Sequence, residues 1–100
     1  MMLTENTPKD YYLNIDHYRH KTYEKLKAKC EELNNGWIPD WMDHEEYKYF
    51  IVYDHDYNMF MWGDTQTVQM HGVFYVSRVF DAQRLIQENL IDLQIYHGVI

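Results

Sequence analysis

The sequence predicts an α+β domain in the order α-β-β-β-α. A three-stranded antiparallel sheet is covered on one face by two helices. Three observations carry this. Apolar residues recur at helical spacing over 8–34. A dense aromatic and β-branched run at 47–53 leads through a turn into further extended sequence. A second helical period closes the chain over 78–94. With 100 residues, the chain is one domain.

Residues 1–7 read as a flexible lead. Thr7-Pro8 marks a helix start, because Thr can cap and Pro suits the first helical position. Tyr11, Ile15, Tyr18, Thr22, Leu26, Cys30 and Leu33 then fall on one helical face. Asn35-Gly36 stops the helix, since Gly takes the left-handed conformation cheaply. Ile38-Pro39 forces an extended path between Trp37 and Trp41, and one of these tryptophans is expected under the helix end.

Residues 47–53 form the first strand. Asp54-His55-Asp56-Tyr57-Asn58 supplies turn chemistry and 59–62 the second strand, with a turn or bulge at Gly63-Asp64. The third strand spans 67–76, bent at Gly72. The sheet thus occupies 47–76, and short turns favour antiparallel pairing. Ser77 or Asp81 caps the closing helix, with Phe80 and Leu85 spaced as a hydrophobic staple. The tail, 95–100, is apolar: an edge strand, a docked tail or part of a homodimer contact. The uncovered sheet face is expected to be exposed, aromatic and acidic.

Cys30 is the single cysteine, so nothing argues for a secreted disulfide scaffold. With no apolar span and no signal sequence, the expectation is a soluble protein of the bacterial cytoplasm without membrane contact. The net charge is −7. Its excess lies wholly in residues 34–100, above all at Asp40, Asp43, Glu45, Glu46, Asp54, Asp56 and Asp64 around the lone Lys48. Such a surface repels nucleic-acid phosphates, so no direct nucleic-acid binding is expected, and attracts a basic groove on a protein.

The candidate chemical motifs resolve to structural readings. Asp54-x-Asp56-x-Asn58 copies the start of a calcium loop but lacks its later Gly and Glu. His17, His20 and Glu24 share a helix flank opposite the apolar face, with nothing to complete a metal shell. Cys30 sits on the apolar stripe, and the paired carboxylates lie in turns where water solvates them. The expectation is no enzyme, no catalytic residue, no cofactor and no metal. The partner-binding candidates are Asp40, Asp43, Glu45, Glu46, Asp54, Asp56, Tyr57 and Asp64, where aromatic anchors stand beside carboxylates.

Asn34-Asn35-Gly36-Trp37-Ile38-Pro39-Asp40-Trp41, followed by Tyr47-Lys48-Tyr49-Phe50, resembles a set of small proteins of bacteriophages and prophages. These run a helix into Asn-x-Gly-Trp-x-Pro-Asp-Trp, then aromatic strands and a closing helix. The likeness covers residues 26–93. It implies a fold and a genetic setting, with no catalytic residue to carry over. In general character, small and acidic, the chain is also similar to anti-CRISPR proteins. That similarity implies a non-enzymatic, phage-encoded inhibitor binding a host defence protein, most directly a CRISPR effector or its guide-RNA complex, whose channels are basic. The alternative is a phage structural or assembly module that self-associates through its aromatic sheet face.

Overall fold

The computed structural model describes residues 9–99. The lead 1–7, the Thr7-Pro8 start and Ile100 lie outside them. The chain opens on a short 3-10 turn, Tyr11–Leu13, followed by α1 over Ile15–Asn34. The first helix is therefore shorter than the 8–34 expected. Asn14 adopts φ −138° and ψ 42°, and this non-helical residue separates the two. Its amide donates to the Asp10 carboxylate, a local bond that competes with helix.

The periodic face of α1 is the buried one. Thr22, Leu26, Cys30 and Leu33 are inside, and full burial of a side chain such as Leu26 stabilises by about 2 kcal/mol. Asn35 ends the helix in the left-handed conformation, its N–H reaching the carbonyls of Glu31 and Glu32, and Gly36 follows at φ 91°. The asparagine thus takes the place expected of the glycine.

Three strands follow: β1 (Lys48–Asp54), β2 (Met59–Thr65) and β3 (Tyr75–Val76). The sheet order is β2-β1-β3, antiparallel throughout. Two expectations are corrected. The second strand runs through Gly63 to Thr65 instead of stopping at Trp62. The third strand is confined to Tyr75–Val76 and pairs with β1, not β2. Because β3 descends alongside β1 as β2 does, residues 66–74 must carry the chain back up across the sheet. They are held by side chains instead of a ladder. The Tyr75 hydroxyl accepts from Met70 N–H at 2.6 Å, and the Tyr96 hydroxyl donates to the Gly72 carbonyl at 2.9 Å.

The closing helix, expected over 78–94, is two helices. These are α2 (Val79–Glu88) and α3 (Leu90–His97), broken at Asn89, whose side-chain amide donates to the Leu85 carbonyl. Ile95–His97 of the supposed tail are therefore helical, and its edge-strand reading is corrected. Gly98 ends α3 at φ 72°. Neither Ser77 nor Asp81 is the cap. Arg78 occupies that position, while Asp81 is buried one turn on, held by the Arg78 guanidinium at 2.9 and 3.1 Å. Phe80 points outward, so no staple forms.

The core lies between the helices and one sheet face. Leu26, Cys30 and Leu33 of α1 meet Ile51, Phe60 and Val76 of the sheet, with Ala82 and Leu85 of α2 and Leu93 of α3. A smaller cluster joins Tyr11 to Ile95, and the Tyr11 hydroxyl donates to the Ile95 carbonyl at 3.1 Å. This is the two-layer α+β arrangement read from the sequence, with helices on one face of an open sheet. No helix among the described residues is long and apolar enough to cross a membrane.

Candidate protein-binding surface

Strand alternation assigns the two sheet faces. Tyr49, Ile51 and Tyr53 face the helices, opposite Asp64, Trp62 and Phe60. Lys48, Phe50, Val52 and Asp54 lie on the other side, with Met61, Met59 and Tyr75. That outer face is aromatic as expected but only partly open. Phe50 and Tyr75 pack edge to face at 6.2 Å, and Trp41 folds over Tyr75 at 5.0 Å. The acids are not spread across it. They sit at its two ends, in the loops and in the strand residues Asp54 and Asp64 that border them.

At the first end, the chain from Ile38-Pro39 winds through two turns before β1. The Asp43 N–H donates to the Asp40 carbonyl and the Glu46 N–H to the Asp43 carbonyl. Asp40 Oδ1 accepts from the Met42 N–H and Asp43 Oδ1 from the Glu45 N–H, both at 3.0 Å. Glu46 Oε1 reaches back to the Asp40 N–H at 2.9 Å.

Lys48 holds this loop from inside. Its side chain has no exposed area. The ammonium donates to the carbonyls of Asp43, Glu46 and Gln66 at 3.0, 3.2 and 2.9 Å. Glu46 Oε1 lies 3.6 Å away, and the Trp41 ring centroid 4.9 Å. A buried ammonium needs this many partners, because taking it out of water is costly. The loop backbone therefore turns its carbonyls inward, leaving Asp40, Asp43 and Glu45 on the outside.

At the second end, Asp54 Oδ1 accepts from the N–H groups of Asp56 and Tyr57 at 2.8 and 3.3 Å. Asn58 takes φ 52° and closes the hairpin. This is a tight side-chain-capped turn. Tyr57 projects from it, 74% exposed.

The candidate residues therefore form two groups. Asp40, Asp43, Glu45, Glu46 and Asp64 stand at the start of β1, while Asp54, Asp56 and Tyr57 stand at its end. Six residue steps separate them, about 20 Å of strand. That is more than twice the screening length of about 8 Å at physiological salt, so each group acts on a partner independently.

Neutralisation is equally uneven. All three cations of residues 34–100 are engaged internally: Lys48 with Glu46, Arg78 with Asp81, and Arg84 with Glu88. Asp40, Asp43, Glu45, Asp54, Asp56 and Asp64 form no ion pair among the described residues. The negative field of this half is left facing solvent.

The other sequence candidates are placed as follows. Cys30 is buried and donates to the Tyr75 carbonyl at 3.1 Å, and burial pushes its thiol up to about 11. It is therefore protonated at neutral pH and poorly nucleophilic. His17, His20 and Glu24 lie exposed along α1, and among the described residues no three His, Cys, Asp or Glu side chains are grouped to hold a metal. Trp37 lines a shallow groove with Cys30 and Asn34 at the end of α1, while Trp41 packs on the sheet.

Two features escaped the sequence reading. Lys48 stood as an exception to the acidic run, and that singularity was its only signal. The second is the free edge of β2, where Met59, Met61 and Trp62 are exposed beside a groove of about 480 Å³ shared with Gln83, Ile86 and Gln87 of α2.

A scan of protein-family models, a search of curated proteins and a search of solved structures each return no match to this chain.

Proposed function

We propose that the protein acts by binding, docking its acidic, aromatic loop ends on a basic surface of another protein. One observation carries the reading. Every Lys and Arg of residues 34–100 is tied to a carboxylate of the same chain, while six carboxylates in the loops and strand ends are left without a cation among the described residues. Unpaired surface acids of one sign steer a cationic partner and discriminate against anionic ones. Tyr47, Met42 and Tyr57, all exposed beside these acids, supply the apolar anchors that charge alone lacks.

The resemblance at 36–41 suggests only a phage or prophage setting; the small, acidic character it shares with anti-CRISPR proteins suggests the rest, an inhibitor of a host defence protein, in its sharpest form an anti-CRISPR acting on a CRISPR effector or its guide-RNA complex. The effector's basic nucleic-acid channel is the surface such a ligand fits. Inhibition follows from occupying that channel, without chemistry on the effector.

The test uses purified CRISPR effector complexes and the full chain. Target-DNA cleavage and direct binding are measured at about 0.05 and about 0.5 M salt, bracketing weak and strong screening. The expected result is loss of cleavage by one effector, with binding that weakens steeply with salt. The variant Glu45→Lys/Asp56→Lys/Asp64→Lys, whose side chains make no hydrogen bond or ion pair among the described residues, is expected to slow association about tenfold or more. Inhibition of no effector overturns the defence-protein reading. Salt-insensitive binding, unchanged in the triple variant, overturns the acidic-surface reading.

A further inference from the structure

The two edges of the sheet are finished differently. At β3, the Tyr75 carbonyl accepts from the Asn34 side-chain amide at 2.8 Å and from the Cys30 thiol, so α1 engages that edge at Tyr75. At β2, no hydrogen bond from the described residues reaches the outward backbone edge of Met59–Thr65. Every second residue of an edge strand turns its N–H and C=O outward, which makes a template for another strand. The usual protections are weak here. The strand is seven residues long, contains no Pro, and its lone charge is Asp64 near one end. Apolar surface accompanies the free edge: Met59, Met61 and Trp62 are 52%, 39% and 38% exposed, and the groove against Gln83, Ile86 and Gln87 runs beside them.

We infer that the free edge of β2 is a strand-addition site for an extended, apolar segment flanked by Lys or Arg. Backbone pairing supplies the affinity. Alternate side chains of the guest drop into the groove against Ile86, and the intervening ones lie beside Met59 and Met61. The charges at the ends of the edge choose the guest. Asp54 and Asp56 stand at one end of β2 and Asp64 at the other, none paired with a cation among the described residues. In a two-fold antiparallel pairing, a second copy would bring its own Asp64 beside the Asp54-Asp56 turn at both ends, and like charges facing across strands repel. A cation-flanked segment meets carboxylates at both ends instead.

This inference deepens the binding function proposed above by naming a segment of the partner, and it is testable without any effector. The probe is a synthetic peptide with a seven-residue core of alternating Ile and Thr, matched to β2, and two Lys at each end. It is titrated into the isotope-labelled full chain while backbone amide signals are followed. Expected are saturable shifts and slowed amide exchange in Met59–Thr65, with α2 signals at Gln83 to Gln87 moving too. The same peptide N-methylated at alternate residues on one edge is expected to lose binding. A peptide flanked by Glu should bind about tenfold or more weakly.

Shifts confined to the 40–46 loop, equal binding of the N-methylated peptide, or no saturation by ~1 mM overturn the inference. So does a β2-mediated dimer in the peptide-free protein. Failure of the effector assay with success here sinks the defence-protein reading and leaves the strand-addition site standing. The reverse outcome confines the docking to the loops.

Discussion

Replacing Lys48 by Met tests whether the acidic loop is built around a buried cation. Met keeps most of the side-chain length and fills the same space, so cavity formation contributes little. What disappears is the ammonium. The carbonyls of Asp43, Glu46 and Gln66 lose their donor, and Glu46 keeps a half-buried carboxylate with no cation beside it. Each hydrogen bond from a charged group is worth about 1.5–3 kcal/mol, but the water freed to the loop recovers part of this. Removing one partner of a buried pair costs about 3–5 kcal/mol, and that is the expected destabilisation. A domain of this size holds about 5–15 kcal/mol in all, so the variant is expected to be folded but marginal. Urea unfolding followed by tryptophan fluorescence is the assay, because Trp41 lies over the ammonium. The midpoint should fall by about 2 M at an unchanged slope. Glu46→Gln preserves an acceptor for the Asp40 N–H and should cost only about 1 kcal/mol. A Lys48→Met loss below about 1 kcal/mol would refute the reasoning, since the loop would then stand without its cation.

Two further perturbations address packing and pH. A Cβ at Gly63 would lie 2.7 Å from Phe50 Cζ and 2.9 Å from Cε2, so Gly63→Ala should cost about 1–3 kcal/mol in thermal or urea melts, and Phe50→Leu in the same chain should recover part of it. His97 packs against Phe60 and Tyr96, and burial, reinforced by Arg19, holds its pKa below the ordinary value. The unfolded chain therefore binds the proton more readily, and the contribution of a neutral His97 is present above about pH 6.5 and lost as pH falls through its lowered folded value. Wild-type stability should drop between about pH 7 and pH 5 by more than that of His97→Gln, and parallel curves would show that His97 is not the group responsible.

The helical face of α1 was legible because it is local: Leu26, Cys30 and Leu33 recur at the helix period, and burial follows from it. The β1–β2 hairpin was legible for a related reason, since a run of aromatic residues met a turn built from Asp54 and Asn58. The third strand was not. Residues 67–76 look extended throughout, but only Tyr75 and Val76 find a partner, and that choice depends on Asn34 and Cys30, more than forty positions away. The break at Asn89 was hidden because Leu85, Leu90 and Leu93 continue an apolar rhythm across it. In the tail, Ile95 and Tyr96 carried a strand-like composition that packing against α1 overrides. The acidic surface was legible in content but not in arrangement. Neighbours along the chain read as one patch, whereas β1 holds its two halves apart. Lys48 ran against the rule that lysine stays exposed, and only the converging carbonyls explain its burial.

The Tyr75 carbonyl, closed by Asn34 and Cys30, has a consequence for stoichiometry. A sheet open at both edges is divalent: each added strand leaves the far side ready for another, and the product is a filament. This sheet is unequal at its edges: β2 offers seven residues, β3 only two, with the Tyr75 carbonyl engaged by α1. A guest strand at β2 has the long template, while on the opposite side the Tyr75 carbonyl is already taken by α1. The protein is therefore expected to end a row of strands instead of extending it, and its complexes should form one to one. An apolar edge that would make a divalent sheet prone to fibres is, in one whose far edge is this short, compatible with a discrete complex.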